Sequence, residues 1–470
     1  MDKLNRLFVS GGVISPNQLY SLCKTLLHHD INHISLGSRQ DILIPLDVTA
    51  LSETPEVENG VFSVQPYAQN NNLVSSYLAS DIFDSYDWVK SSTYVFILES
   101  FDFVPTLKIN ITDPKQNLIP SFSGHINFLA SEYLDYWHIY IRKEGNKNPN
   151  LYPVMIHSNH ICRLSKMLAQ YWEEFDRIDD LFTLISDAAD LDTRVIKDKP
   201  TYDIKIFPYY EGMHRYDIDK FWLGLYWRNN KYDINFLLEL CKVCQAQEIS
   251  SICLSSWKSL IIRGIAKTNK IKWEKLLGSN GISVRHSQLE MNWHLPAGDN
   301  DSLALKNAIV EHLNKKDIST YGLTIGIYSI LGQAFTSIAL VKSDKDHRLR
   351  SVDIYHATNF NPDLCTYKMY AQNIGLQNIP DLLIELSQLY FARYLDRDEI
   401  ETPDLPLAKA STEPLIELYQ CKNCLNVIHL NEEHLSDEIE SANCIVCESG
   451  FEDFIKTKIA VGTPLSYQTW

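Results

Sequence analysis

Apolar and polar positions along this chain follow a pattern that occurs twice. Residues 18–44, QLYSLCKTLLHHDINHISLGSRQDILI, align without gaps with residues 236–262, FLLELCKVCQAQEISSICLSSWKSLII. In each copy apolar residues first recur at three- and four-residue spacing, which predicts an amphipathic helix. They then form two short strands separated by a turn. A repeat of this length predicts a duplicated architecture, whose shared positions are mainly core positions.

The segments that follow the two copies share an order as well. After the first copy, YVFILESF and VPTLKINIT are predicted strands, SGHINFLASEYLDYWHIYIR is a predicted hairpin, and residues 157–176 contain a predicted helix. After the second copy we expect a helix near 302–315, strands in TYGLTIGIYS, AFTSIALVK and SVDIYHAT, and a helix near 380–395. The order is A–B–A′–B′, which predicts a duplicated α+β fold.

This order divides the chain into predicted domains and a linker. The expected pieces are a half domain over 1–85, an α/β domain over 86–200, a second half domain over 201–280 and a second α/β domain over 281–395. Residues 396–414, DRDEIETPDLPLAKASTEP, are charged and carry three prolines, which is typical of an extended linker. A separate small module is expected over 415–460.

Two CxxC pairs are the sharpest chemical signal in this small module. Cys421 and Cys424 form the first pair, and Cys444 and Cys447 form the second; 19 residues separate Cys424 from Cys444. Each pair can turn two thiolates toward one point, and four thiolates complete a tetrahedral cage that suits Zn²⁺ or a single iron ion. The spacing therefore predicts a metal site with four cysteine ligands.

Composition narrows the environment in which this protein works. The net charge of −16 argues against nonspecific binding to nucleic acid. No apolar run approaches the length of about 18 residues that a membrane span needs, and the N-terminus lacks a secretory signal. The other cysteines lie in apolar stretches, including the mid-helix pair Cys241 and Cys244, whose expected role is core packing. These features predict a cytoplasmic protein without a membrane span.

The order of elements and several motifs resemble the sulfite/nitrite reductase family. GGVISPNQLYSLCKTLLHHDINHISLGSRQDILIP is similar to the ferredoxin-like half domain of that family, with its TRQ turn. VPTLKINITDP and the predicted hairpin after it resemble the family's PRKxK strand and the hairpin that follows. This resemblance covers about residues 5–395. Residues 419–455, with YQCKNCL, CIVC and GFEDF, resemble rubredoxin, which holds one iron ion.

The first resemblance implies a cofactor whose ligands this sequence lacks. The family's siroheme is coupled to an iron–sulfur cubane through four cysteines, whereas the corresponding segments here, SVRHSQLEMNWHLPAGD and TYGLTIGIYSILG, contain none. We therefore expect neither siroheme nor cubane, and no reduction of nitrite or sulfite. Arg39 stands at the TRQ arginine, and Lys108 stands at the second lysine of PRKxK. The resemblance thus implies a vestigial anion or tetrapyrrole pocket if both face one cavity; otherwise each is an ordinary surface charge.

Together the two resemblances imply an electron carrier rather than a reductase, with no catalytic residue assigned. One iron ion held by the four cysteines would exchange single electrons with a redox partner protein, in nitrogen or sulfur assimilation. The alternative is a non-enzymatic scaffold or regulatory protein whose cage holds structural zinc. Leu425 and Glu448 follow the CxxC pairs where rubredoxins have glycines, which favours zinc. The sequence leaves iron and zinc open.

Overall fold

The computed structural model of the chain describes residues 4–46, 62–66, 71–143, 148–187, 191–284, 286–343, 349–398, 415–422, 427–428 and 454–460. The chain divides into two compact units, a body over residues 1–393 and a C-terminal unit over residues 394–470. The two CxxC pairs fall in the second unit.

Helices form where the apolar pattern predicts them in each copy, within 157–176, near 302–315 and near 380–395, and the described residues contain three further helices that were not predicted. In chain order the helices are α1 (Pro16–His28), α2 (Ser91–Glu99), α3 (Ile161–Tyr171), α4 (Ile178–Asp187), α5 (Ile234–Ala246), α6 (Lys270–Ser279), α7 (Asn300–Lys315) and α8 (Ile379–Asp398). Among the described residues, none of these helices has both the length and the apolar character that a membrane crossing requires.

The strands before residue 200 belong mainly to two sheets. They are β1 (Asn5–Phe8), β2 (Val13–Ile14), β3 (His33–Leu36), β4 (Ile42–Ile44), β5 (Ser63–Pro66), β6 (Leu73–Ser75), β7 (Ile109–Thr112), β8 (Ile126–Ala130), β9 (Tyr136–Ile141), β10 (Asn150–Leu151), β11 (Val154–His157) and β12 (Thr193–Val195).

The later strands repeat this arrangement and add a small sheet in the C-terminal unit. They are β13 (Gly212–Arg215), β14 (Lys220–Tyr226), β15 (Tyr232–Asp233), β16 (Ile252–Leu254), β17 (Ser259–Ala266), β18 (Trp293–His294), β19 (Ile325–Tyr328), β20 (Ile338–Lys342), β21 (Ser351–Ala357), β22 (Tyr367–Gly375), β23 (Leu415–Cys421), β24 (Val427–Ile428) and β25 (Phe454–Ala460).

The predicted duplication is confirmed residue for residue in the first helix of each copy. α1 and α5 begin and end at positions 218 residues apart. Both start at a side-chain cap: Ser15 Oγ accepts from the Gln18 amide at 3.2 Å, and Asp233 Oδ1 accepts from the Phe236 amide at 2.9 Å. Such caps satisfy amide groups that would otherwise lack a partner at the helix start. The local sequence therefore fixes both helix starts.

The two half domains exchange edge strands, which the sequence pattern did not predict. The first sheet has the order β15-β3-β4-β1-β5, and the second has the order β13-β14-β17-β16-β2. β15 from the second copy thus completes the first sheet, and β2 from the first copy completes the second. Each half domain therefore covers an open sheet edge of the other. The two half domains also share one hydrophobic core.

The two α/β domains repeat a second topology. Their sheets run β12-β11-β9-β8-β7-β6, with β10 beside β9, and β18-β19-β20-β21-β22. In each, three parallel strands (β6-β7-β8 and β18-β19-β20) are followed by antiparallel ones. The A–B–A′–B′ order and the α+β class are therefore confirmed. The six-part division of the chain stays a prediction at its boundaries.

One predicted strand is a helix. Most of YVFILESF (94–101) lies in α2, with Tyr94 and Ile97 fully buried and Phe96 52% exposed. Three-residue spacing of buried positions is helical, and a continuous apolar run does not by itself distinguish a helix from a strand. Tyr94 packs against Trp137 of β9 with ring centroids 6.2 Å apart. Packing on the neighbouring sheet therefore decided the conformation.

Candidate functional site

The C-terminal unit contains a small antiparallel sheet with the order β24-β23-β25. In the β23–β24 hairpin, Tyr419 pairs with Ile428 and Gln420 pairs with Val427. Cys421 is the last residue of β23, and Cys424 lies between the two strands in the sequence. Two cysteines this close in the chain can bind one metal ion.

The other edge of this sheet is β25, which follows the second CxxC pair in the sequence. Cys421 pairs with Phe454, the residue at which β25 begins, and the pairing continues to Leu415 opposite Ala460. The chain before Phe454 thus enters the sheet at the Cys421 end, and Cys447 precedes Phe454 by seven residues. Cys421 ends a described strand, whereas Cys424, Cys444 and Cys447 lie outside the described residues.

The body offers no competing set of ligands in its described part. No group of three or more histidine, cysteine, aspartate and glutamate side chains is arranged to hold a metal ion in the described residues. Cys241 and Cys244 are fully buried in the shared core of the half domains, as predicted. Burial raises the pKa of Cys241 to about 12, so its thiol stays protonated and unreactive at neutral pH.

Aromatic side chains fill the segment where the resemblance would require cluster cysteines. His294 in β18 stacks on Tyr328 in β19 with ring centroids 5.1 Å apart, and it lies 4.5 Å from the Phe335 ring. Tyr328 is buried and donates to Thr336 Oγ1 at 3.1 Å. Burial, together with the charge of Lys258, holds the pKa of His294 well below its usual value. Packed, uncharged rings occupy this segment.

Arg39 is buried and holds several segments together. Its Nη1 donates to Asn110 Oδ1 at 2.6 Å and to Ser123 Oγ at 3.3 Å, and its Nη2 donates to the carbonyl oxygens of Asn72 at 2.7 Å and Ile109 at 3.1 Å. Burial lowers the pKa of Arg39 to about 9. Both terminal nitrogens are thus engaged with protein oxygens, which identifies a structural contribution of this side chain.

Lys108 lies next to the same region through His125. The Lys108 amide donates to His125 Nδ1 at 3.2 Å, and the ring of His125 packs on Trp172 at 5.4 Å. Burial lowers the pKa of His125 to about 3, assisted by four nearby cations: Lys108, Arg39, Arg142 and Lys143. The structure therefore brings Arg39 and Lys108 into one basic neighbourhood. Neither lines the cavity described next, so the vestigial pocket stays a prediction.

A cavity of about 180 Å³ lies elsewhere in the body, beside the turn of the second copy. Trp257, Lys258, Trp293 and Leu295 line it, together with the start of α7. Lys258 is buried, and its Nζ donates to the Leu295 carbonyl. Sequence reasoning missed this residue. The repeat contained the signal, because Lys258 occupies the position of Gln40 and replaces a neutral amide by an amine.

No protein-family model matches the chain, and no curated protein matches it. Among solved structures, one similar chain is described as the structure of Mycobacterium tuberculosis NirA protein. The similarity has a TM-score of 0.62 and 13% sequence identity, and it covers 81% of this chain and 79% of that chain. Identity this low establishes a fold and carries no activity. The body of this chain has a sulfite/nitrite reductase-like fold, and the rubredoxin resemblance of the C-terminal unit stays a prediction.

Proposed function

We propose that this protein is a one-electron carrier whose C-terminal unit holds a single iron ion through Cys421, Cys424, Cys444 and Cys447. In this proposal the body is a reductase-like scaffold that docks a redox partner protein. When bound, the iron would supply the electron by cycling between its ferric and ferrous states. Nitrogen or sulfur assimilation is the process in which the fold of the body suggests such a carrier would act.

The strand register of the small sheet is the observation that carries this proposal. Cys421 of the first CxxC pair ends β23, and β25 begins opposite Cys421, shortly after the second pair in the sequence. A chain with this register can bring both pairs to one end of the sheet. The donor set also fits, because four thiolates favour a soft or borderline ion.

The buried state of the cysteines in the body also supports metal binding by the C-terminal unit. Cys23, Cys241, Cys244 and Cys253 are all fully buried, and burial raises the pKa of each thiol. A protonated, buried thiol is a poor metal ligand. The four cysteines of the C-terminal unit are therefore the best candidates for redox chemistry.

Zinc remains the second candidate because of the residues beside the cysteines. Leu425 and Glu448 stand where glycines would let backbone amides approach the sulfurs, and such amides raise the potential of an iron site. A site without them is equally suited to structural zinc. In that case the protein would be a scaffold or regulatory subunit.

Metal analysis and the visible spectrum of the purified full-length protein test the proposal. We expect about one iron per chain and a red colour that bleaches on reduction. Cys421→Ser and Cys444→Ser each change one cysteine of one pair, and both variants are expected to lose the iron and the red colour. Cys162→Ser is the matched control, because Cys162 lies on α3 in the body and is expected to leave iron content unchanged. A colourless protein with one zinc per chain would refute electron transfer and favour the scaffold.

A further inference from the structure

Lys258 lines the cavity, and its backbone conformation is the same as that of the equivalent residue in the first copy of the repeat. Lys258 has a φ of 58°, and Gln40 at the equivalent position has a φ of 57°. Non-glycine residues rarely adopt this left-handed conformation, because the side chain then crowds the backbone. The shared turn therefore accounts for the conformation of both residues. It does not account for the different chemistry of their side chains.

Gln40 and Lys258 use that shared turn in different ways. Gln40 bridges two segments, because its Nε2 donates to the carbonyl oxygens of Ser75 at 3.1 Å and Leu254 at 2.7 Å, and its Oε1 accepts from the Ser75 amide at 2.8 Å. The Lys258 side chain donates through Nζ to the Leu295 carbonyl at the cavity wall. Gln40 in the first copy thus uses both polar atoms of its amide in hydrogen bonds. Lys258 in the second copy instead places an amine beside a cavity.

Lys306, Arg228 and Lys342 each have a carboxylate partner, whereas Lys258 forms no ion pair among the described residues. Glu290 pairs with Lys306 at 2.6 Å and with Arg228 at 2.8 Å. Asp299 pairs with Lys342 at 2.8 Å. The carboxylates around the cavity are therefore already engaged, and the Lys258 amine is left with a carbonyl oxygen as its partner.

This environment favours the uncharged amine. Burial lowers the pKa of Lys258 to about 7, and repulsion from Lys306 and Arg6 acts in the same direction, against a weaker attraction to Asp299. His294, which also faces this charge, is held neutral. The uncharged amine is therefore far more abundant near neutral pH than it is in an ordinary lysine. An uncharged amine has a free lone pair and is a nucleophile.

We propose that Lys258 is a nucleophilic amine that binds a small aldehyde or ketone covalently in this cavity, as an imine. The Nζ lone pair attacks the carbonyl carbon and forms a C–N bond. The carbinolamine then loses its oxygen as water, with the second proton of the amine, and a C=N bond results. No oxidant or reductant takes part. This site is independent of the metal module and of the proposed electron transfer.

The dimensions and lining of the cavity limit the carbonyl compound. A cavity of about 150 Å³ is known to accept benzene, so the 180 Å³ here suits a compound of about that size. Trp257, Trp293 and Leu295 supply apolar walls, and the hydroxyl of Tyr226 contributes a polar group near Lys306. Pyruvate is a probe of suitable size that carries the ketone required for imine formation.

Reductive trapping with site-resolved mass spectrometry tests the proposal on the full-length protein. The protein is incubated with pyruvate and sodium cyanoborohydride, which reduces any imine to a stable secondary amine, and every lysine is quantified. Lys231 is the internal control, because it lies at the rim of the same cavity and is exposed. At pH 7 we expect Lys258 to be modified at least tenfold faster than Lys231. Its rate should be half-maximal near pH 7.

Two variants and the pH profile decide the outcome. Lys258→Arg retains the charge without the nucleophile and is expected to abolish the rapid phase, whereas Lys231→Arg should leave it unchanged. If Lys258→Arg does not fold, the wild-type protein alone still gives the comparison between the two lysines. Modification of Lys258 no faster than that of Lys231, or a rate that rises only above pH 9, would overturn the proposal.

Discussion

Replacing Lys258 by methionine is expected to stabilise the body at low pH, by an amount that falls as pH rises. The pKa of this amine is lowered from 10.5 to about 7 in the folded protein, mainly by burial. In the unfolded chain the amine regains its ordinary pKa. Below pH 7 both states carry the proton and the folded state is penalised in full. Above pH 10.5 neither state carries it, so the penalty is absent.

The magnitude follows from the size of the shift. A fall of the pKa from 10.5 to about 7 corresponds to about 5 kcal/mol of proton-linked destabilisation. Methionine removes that penalty and fills a similar volume, but it loses the hydrogen bond to the Leu295 carbonyl, worth about 1 kcal/mol. We expect Lys258→Met to be more stable than wild type by roughly 4 kcal/mol at pH 6. The advantage should disappear near pH 10.

Urea unfolding followed by tryptophan fluorescence measures this difference at several pH values. Trp257 and Trp293 line the cavity, so the signal reports on the region that changes. Lys231→Met is the control, because Lys231 is exposed and its replacement should shift the free energy of unfolding by less than about 0.5 kcal/mol at every pH. A difference between Lys258→Met and wild type that stays constant from pH 6 to pH 10 would refute the reasoning.

Three other outcomes are expected. Arg39→Met should lower the free energy of unfolding by roughly 3 kcal/mol, because it breaks charged hydrogen bonds to Asn110 and to carbonyl oxygens. Added sulfate that stabilises the wild-type protein but not Arg39→Met would instead indicate an anion site. Lys306→Met should raise the pKa of Lys258, since Lys306 lowers it, and the pH midpoint of Lys258 trapping should move upward; an unchanged midpoint would contradict this. If the proposed metal ion is bound, its removal by a chelator should expose the amides of β23–β25 to hydrogen exchange while α1 and α5 keep their protection, because metal binding and folding are coupled in small metal modules. Equal exposure of both would contradict a separate unit.

Several features of the fold could be predicted because they are written in short stretches of sequence. Helix starts depend on a cap and on the spacing of apolar residues, and these local signals located α1 and α5. The ungapped repeat likewise predicted the A–B–A′–B′ order. The exchange of β2 and β15 between sheets could not be predicted, because strand pairing depends on residues far apart in the chain.

The sequence by itself determined which residues could bind metal and which cofactor ligands are missing, since both depend on the presence or absence of cysteines. Only the tertiary structure decided what the charged residues do. Arg39 appeared as a remnant of an anion site, and the fold buries it among protein oxygens. Lys258 was not among the residues that the sequence pointed to, and the fold places its amine beside a cavity. Burial and the distance between charges set the properties of such groups, and both arise only when distant segments pack together.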